Sequence, residues 1–362
     1  LIQAPEGADN IRFKLSNVQI DGSDIYDTTT TSSLYINKIG RIITLTELYD
    51  IANKLTLMYR NDGYILTQVI VPPQTIENGI VRLRVIEGFI DTVTIKGDKE
   101  PGSALKTIQN YASRITQGDA LNIKNMERYL LLINDLPGIT SRAVISPSTT
   151  ITGAADLTLI IERDPYEALA QIDNHGSRFL GPLQFSGIGI LNSFFGLNET
   201  ITTQLVMAPD GGELGFGSLT YEQPVGPYGT TLSFTGGMSV TDPGYTLRQF
   251  DVKGQSRSMS LRLKHPFLRS RETNLYGSLQ LDWRDVDSKN NIEPTRKDRL
   301  RILRTGIQAE FLDRLLGTAI NSLDITISQG LGILGASKEG ESNLSRASAD
   351  PAFTKTELRF QR

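Results

Sequence analysis

Hydrophobic and polar residues follow two different periods along this chain, and the change between them divides it near Arg163-Asp164-Pro165. Before that point the spacing is helical in two places. Leu48, Ile51, Ala52, Leu55 and Tyr59 recur every three or four residues behind Thr44 and Glu47, the arrangement of a capping box. Ile123, Met126, Leu130 and Ile133 do the same behind Asn122. Gly63 and Gly138 are placed to end these helices. Fewer apolar positions predict two further helices, over Thr30–Asn37 and Ser103–Ile115. Each long helix is followed by two strand-like runs: Tyr64–Pro72 with Gly79–Gly88, and Thr140–Pro147 with Ala155–Asp164. In the first pair, Pro72 and Pro73 cannot donate to a ladder, and Asn78-Gly79 signals a tight turn. Beyond that turn Val81, Leu83, Val85 and Ile86 interleave with Arg82, Arg84 and Glu87.

The two halves of this region repeat. VQIDGSD at Val18–Asp24 matches VTIKGDK at Val93–Lys99, placing Gly22 and Gly97 75 residues apart. Each copy reads strand, helix, helix, strand, strand.

From Asp164 onward helical spacing gives way to period-two alternation. Leu232, Phe234, Gly236, Met238 and Val240 oppose Thr231, Ser233, Thr235, Gly237 and Ser239; Met259, Leu261 and Leu263 oppose Ser258, Ser260, Arg262 and Lys264. Leu275, Leu279, Leu281 and Trp283 oppose Asn274, Ser278, Gln280, Asp282 and Arg284. Leu303, Ile307, Ala309 and Phe311 oppose Arg304, Gln308 and Glu310. Alternation alone fits a soluble sandwich with its apolar face inward or a membrane barrel with that face outward. Length separates them: about ten strands are predicted, most long enough to meet the roughly 9–11 residues of a tilted bilayer crossing. Connections also alternate. FFGLNE, QPVGPYG, PFLRSRET and FLDRLLG are short, whereas MSVTDPGYTLRQFDVKGQ, DVDSKNNIEPTRKD and LGASKEGESNLSRASADPA are long and polar, the asymmetry of an outer-membrane barrel. Phe194, Phe195, Tyr228, Phe267, Trp283 and Phe311 fall near strand ends, where an interfacial girdle places aromatics.

Composition removes several function classes. A formal net charge of −3 without a basic cluster interleaved with aromatics argues against nucleic acid. The absence of cysteine rules out disulfides, thiolate metal sites and thiol catalysis. No apolar run is long enough for a transmembrane helix, and there is no basic-then-apolar leader; the first residue is Leu rather than Met, so the chain is expected to begin downstream of its true start. Asp285, Asp287 and Asn290 hint at a calcium loop, but Lys289 occupies a ligand position and the required Gly and distal Glu are missing, which predicts a solvated loop. His175 and His265 are far apart, Gly187-Ile188-Gly189 is followed by no helix, and no Gly-x-Ser-x-Gly occurs. No cofactor, small-molecule substrate or enzymatic activity is expected.

The tandem module, with Val71-Pro72-Pro73-Gln74, Asn78-Gly79, Glu87-Gly88 and Leu136-Pro137-Gly138, resembles the paired POTRA domains of two-partner secretion transporters. Asp173-Asn174-His175-Gly176-Ser177, Tyr221-Glu222-Gln223-Pro224 and His265-Pro266-Phe267-Leu268-Arg269-Ser270 are similar to that family's barrel, so the likeness to the TpsB (ShlB/FhaC/HecB, Omp85-superfamily) transporters covers nearly the whole chain. The fold it implies is α+β tandem POTRA domains followed by an all-β transmembrane antiparallel β-barrel whose C-terminal strands are missing. The expected divisions are a linker at 1–10, POTRA domains at 11–89 and 90–163, and the N-terminal part of the barrel at 164–362. Family barrels have more strands, with an inward-folding Arg-Gly-Tyr/Phe loop that matches nothing here. An open sheet would leave unsatisfied edges in lipid, so a fragment is expected, lacking the leader and the pore-plugging helix as well.

The resemblance implies an outer-membrane location with periplasmic POTRA domains and a secreted, TpsA-like exoprotein as partner, alongside outer-membrane lipid. An unfolded partner adding as a strand to a POTRA edge would use Tyr64, Leu66, Gln68 and Ile70, Val81, Leu83 and Val85, or Arg142 and Val144. Arg262, Lys264, Asp282, Arg284, Arg304, Glu310 and Asp324 are the expected lumen-lining residues. Two alternatives stay open, an outer-membrane assembly factor and a soluble periplasmic β-scaffold; two modules rather than many, and Pro-Pro-Gln, favour transport.

Overall fold

The computed structural model describes residues 1–97, 102, 104–116, 120–209, 212–315, 317–346 and 349–362. The chain forms two compact units, with 131–140 and 162–362 in the second, joined there by 104–108.

The first copy of the repeat begins with β1 (Arg12–Lys14), β2 (Asn17–Asp21) and α1 (Thr28–Ser32). β3 (Ile42–Thr44), α2 (Leu45–Asn61), β4 (Gln68–Ile70) and β5 (Ile80–Ile86) complete it. Thr44 and Glu47 form the expected capping box: Thr44 Oγ1 accepts from Glu47 N at 3.2 Å, and the Glu47 carboxylate accepts from Thr44 N at 3.0 Å. The apolar stripe of α2, Leu48, Ile51, Ala52, Leu55 and Tyr59, is buried in one core with Val18, Val69, Val81, Leu83 and Val85. Full burial of an aliphatic side chain of this size contributes about 1.5–3 kcal/mol, so this face is what holds helix and sheet together. β2 runs parallel to β5 and β4 antiparallel to it, giving the order β2-β5-β4.

The helix expected over Thr30–Asn37 starts earlier and stops sooner, at Thr28–Ser32, with a 3-10 turn at Ile36–Lys38. Asp27 fixes its start by accepting from Thr30 N at 2.8 Å. Its hydroxyls end it: Ser32 and Ser33 donate back to the carbonyls of Thr29 and Thr30, at 2.9 and 2.7 Å, local bonds that compete with helix propagation. The small β1–β3 ribbon, three residues a side, carried no sequence signal.

The second copy comprises β6 (Phe89–Gly97), α3 (Ala104–Ile115), α4 (Ile123–Asn134), β7 (Ile139–Pro147) and β8 (Ala154–Arg163). Ser103, the expected first residue of α3, lies outside the described residues. Asn122 caps α4 by accepting from Lys124 N at 2.9 Å. Gly63, at φ 104°, follows the end of α2 directly, whereas Gly138, at φ 62°, lies past the end of α4 and turns the chain into β7. β6 is parallel to β8 and the order is β6-β8-β7. In both copies the closing strand is central and pairs in parallel with the opening one, which is the repeat seen as topology.

The second unit is dominated by one antiparallel meander of ten strands in sequence order. It runs through β9 (Tyr166–Asp173), β10 (Gln184–Asn192), β11 (Thr200–Met207), β12 (Leu214–Val225) and β13 (Thr230–Thr241). β14 (Lys253–Arg269), β15 (Thr273–Lys289), β16 (Pro294–Asp313), β17 (Ala319–Gly330) and β18 (Thr354–Gln361) follow. Connections at one end are short, as expected, and 242–252 and 331–353 at the other are long. The expected long loop over Asp285–Asp298 is instead strand. β15 and β16 stay in register out to Ser288 opposite Arg296 and, past a one-residue bulge, pair Lys289 with Pro294, leaving only 290–293 to turn. Alternating charge makes this ladder: Arg299 reaches Asp287 at 2.7 Å and Arg301 reaches Asp285 at 2.8 Å across the strands.

Candidate functional site

The strand edges of the modules and the two faces of the large sheet are the candidate working surfaces. In the first module β5 is the middle strand, and Val81, Leu83 and Val85 are at most 4% exposed. They cannot form an edge or a groove, because hydrogen-bonded neighbours flank β5 on both sides and its apolar side chains fill the core. Tyr64 and Leu66 also fall outside any strand: Tyr64 N donates to Tyr59 O at 2.9 Å and Thr67 N to Tyr64 O at 3.1 Å, forming a turn out of α2. Only Gln68 and Ile70 lie on an edge strand, β4, and the N–H of Val69 between them already donates to Thr56 Oγ1 at 3.1 Å.

The Pro-Pro-Gln stretch has a job that the sequence reading missed. β4 ends at Ile70, and beyond it Pro72 and Pro73 offer no N–H. Gln74 takes over the pairing with its side chain: Nε2 donates to Arg82 O at 2.8 Å, and Oε1 accepts from Arg82 N at 2.7 Å. Asn78 (φ 55°) and Gly79 (φ 74°) then make the predicted turn. Glu87 closes the module by accepting from Asp24 N at 3.0 Å, Ile25 N at 3.1 Å and the Tyr59 hydroxyl at 2.8 Å. Burial, reinforced by that carboxylate, holds the Tyr59 phenol well above its ordinary range. Gly88 is glycine because a Cβ there would lie 2.4 Å from Leu66 Cβ.

In the second module β7 is an edge strand of nine residues, and Arg142 and Val144 on it are exposed, Val144 by 50%. It is the longest candidate edge that the sequence reading named.

Register settles the faces of the large sheet. Arg262 pairs with Gln280, which pairs with Arg304 and then Ser328; Lys264 pairs with Ser278 and Gly306; Glu310 pairs with Asn274 and Ser322; Asp324 pairs with Gln308 and Arg359. Directly paired residues of an antiparallel sheet share a face, and with Asp282 and Arg284 at the same parity as Gln280 all seven expected lumen residues lie together. Arg304 is ion-paired with Asp282, and Lys264 Nζ lies 4.1 Å from the centre of the Tyr276 ring. A hollow of about 500 Å³ lies along this face, lined in part by Ser258, Ser260, Arg284 and Arg304. The opposite face carries Phe234, Leu261, Leu279, Ile307, Ile327 and Phe360, each between 47% and 57% exposed. A soluble sandwich would bury such a face, so its exposure across the meander distinguishes the two readings that alternation left open.

The short-turn end holds further contacts inside the second unit. Arg269 grips Asp135 with two bonds of 2.8 Å and Asn274 at 3.0 Å. Asn198 donates to Thr107 at 2.8 Å, and Asp164 N to Gly138 O at 2.8 Å. Arg269 belongs to a stretch that the resemblance had marked, but nothing in the sequence pointed to Asp135. His265 Nδ1 is 2.8 Å from Thr230 Oγ1, and among the described residues no cluster of His, Asp and Glu could hold a metal.

Comparison with known proteins agrees with this geometry. A model of the ShlB-type POTRA domain matches residues 13–88. The heme/hemopexin transporter protein HuxB of Haemophilus influenzae (strain 86-028NP) is 21% identical over 305 residues, 83% of this chain and 54% of that protein. The outer membrane transporter CdiB-2 of Burkholderia pseudomallei (strain 1026b) is 29% identical over 283 residues, 76% of this chain and 47% of that protein. The chain thus spans about half the length of these relatives. Among solved structures, CdiB from Escherichia coli superposes with a TM-score of 0.78 at 20% identity, over 99% of this chain and 66% of that one. CdiB from Acinetobacter baumannii gives 0.60 at 18% identity, over 89% and 62%. Both show that the fold is shared. The model of the haemolysin secretion/activation protein ShlB/FhaC/HecB matches residues 157–362, more than half of the sequence, and the chain belongs to that family.

Proposed function

We propose that the protein carrying this chain is an outer-membrane translocator that captures an unfolded exoprotein in the periplasm and passes it through the lumen of its barrel. The observation that carries the reading is the meander with one face continuously apolar and exposed and the other polar, hollow and charged. Lipid satisfies the first face and an aqueous passage the second. The chain divides into a linker at 1–10, POTRA domains at 11–89 and 90–163, and barrel strands from 164 on.

Capture requires binding, not bond-breaking. β7 is the proposed docking edge, its main chain giving affinity and the side chains around Arg142 and Val144 giving selectivity. β4 is the weaker candidate, being three residues long with Val69 N already engaged. Arg262, Lys264, Asp282, Arg284, Arg304, Glu310 and Asp324 line the passage, both signs of charge keeping it wet without a strong preference for one. The relatives described as transporters support the same reading.

The test is deletion of residues 11–163 from the full-length protein, with secretion of a co-expressed partner exoprotein as readout. Loss of secretion with the barrel still inserted is expected; undiminished secretion would overturn the recognition role.

A further inference from the structure

At the end of the sheet away from the short turns, the apolar face gives way to charge within one residue pair. Along β15, Leu279, Leu281 and Trp283 are followed at the same parity by Asp285, Asp287 and Lys289. On β16, Lys297, Arg299 and Arg301 stand opposite Asp287, Asp285 and Trp283. The Arg301 guanidinium lies over the Trp283 ring, 3.6 Å from its centre, and also bonds Asp285 at 2.8 Å; Arg299 bonds Asp287 at 2.7 Å. Both arginines are therefore neutralised by aspartates. The lysines are not: among the described residues, neither Lys289 nor Lys297 has a carboxylate within ion-pair reach. Both line a cavity of about 810 Å³ with Lys253, Arg296 and Arg299, but those three are ion-paired with Asp251, Asp298 and Asp287, which leaves the two lysines as its uncompensated charges.

We propose that this cavity binds the phosphorylated headgroup of an anionic amphiphile, whose acyl chains lie along the apolar face below Trp283. Three features favour an amphiphile over free phosphate. The uncompensated lysines sit on the same face as the exposed strip of Met259, Leu281 and Trp283, 57%, 41% and 39% exposed. The stacked Trp283–Arg301 pair marks the level at which apolar surface ends, the depth of headgroups in a bilayer. Lysines at that depth act as point charges toward lipid phosphate. The inference rests on the membrane-barrel reading above, because a sheet outside a bilayer would have no lipid to hold.

The full-length protein in phosphatidylcholine nanodiscs would be titrated with diphosphoryl lipid A, its dephosphorylated form and inorganic phosphate, with Trp fluorescence and native mass spectrometry as readouts. The wild type is expected to retain diphosphoryl lipid A in preference to the dephosphorylated form. Lys289→Gln with Lys297→Gln is expected to bind it about thirtyfold more weakly, and each single change about fivefold more weakly. Lys54→Gln, on the exposed face of α2, should leave it unchanged. Equal retention by the double variant overturns the site, as does full competition by inorganic phosphate alone, which would make it an anion pocket with no use for lipid. Heat-modifiable migration of each variant checks folding, and the single changes decide the matter if the double variant does not fold. Failure of the wild type to insert into bilayers sinks the barrel reading; insertion with no lysine dependence sinks this inference alone.

Discussion

At the scale of single residues, Gln74 shows how a side chain completes a strand that the backbone cannot. Its amide occupies both main-chain groups of Arg82, where a continued β4 would have paired had Pro72 and Pro73 not ended it. Gln74→Leu removes both bonds while keeping the bulk. Arg82 is exposed, so water replaces most of what is lost, and a net loss of about 1 kcal/mol is expected. Hydrogen exchange measures this directly: the Arg82 amide should exchange about fivefold faster, with the core amides of β5 unaffected. Unchanged protection at Arg82 would mean that the amide contact is dispensable. The prolines and the Asn78-Gly79 turn were legible in the sequence because their constraints are local. Gln74 and Glu87 were not, because their partners, Arg82, Asp24, Ile25 and Tyr59, are chosen by the fold.

At the scale of elements, the helices and strands read well where periodicity was long, and edges read poorly. Alternation in Val81–Val85 is the pattern of a half-buried strand, and it looks the same whether that strand is central or at an edge; only the pairing order makes β5 central. Charge likewise misled over Asp285–Asp298, since polar residues that pair across a ladder look like a solvated loop when read one strand at a time. β7 remains as the long edge. Ser148 N donates to Ala154 O at 3.0 Å, and because main-chain donors alternate sides along a strand, Ala143 N–H turns to the free edge of β7; Ala143→Pro deletes that donor, and proline on an edge strand is tolerated by the fold. If partner strands add to β7, affinity for the exoprotein's secretion domain should fall about tenfold, the worth of one or two hydrogen bonds. Calorimetric titration with the full-length protein gives the number, and thermal denaturation of the variant controls for folding. Unchanged affinity would move the docking edge to β2, β4 or β6.

At the scale of the whole molecule, the question is which face of the meander meets lipid, and a pair of substitutions on neighbouring residues answers it. Leu261 lies mid-strand on β14, directly opposite Phe234 and Leu281, on the exposed apolar face. Arg262, one residue on, lies on the polar face opposite Ser233 and Gln280. Because the side-chain period is two, these neighbours report on opposite solvents. Leu261→Arg forces a cation into hydrocarbon and should cost about 2–4 kcal/mol of folding free energy in a bilayer. Arg262→Leu places an apolar group in the wet lumen, where no such penalty applies. Urea titration of the full-length protein in vesicles, followed by heat-modifiable migration, should therefore find Leu261→Arg strongly destabilised and Arg262→Leu close to wild type. The reverse ranking would put the charged face toward lipid, which the register of Arg262, Gln280 and Arg304 on one face makes physically untenable, and would require a different pairing of the strands. Equal, small effects would mean that neither face is in a membrane, and the apolar face would then need a protein partner as broad as the sheet itself.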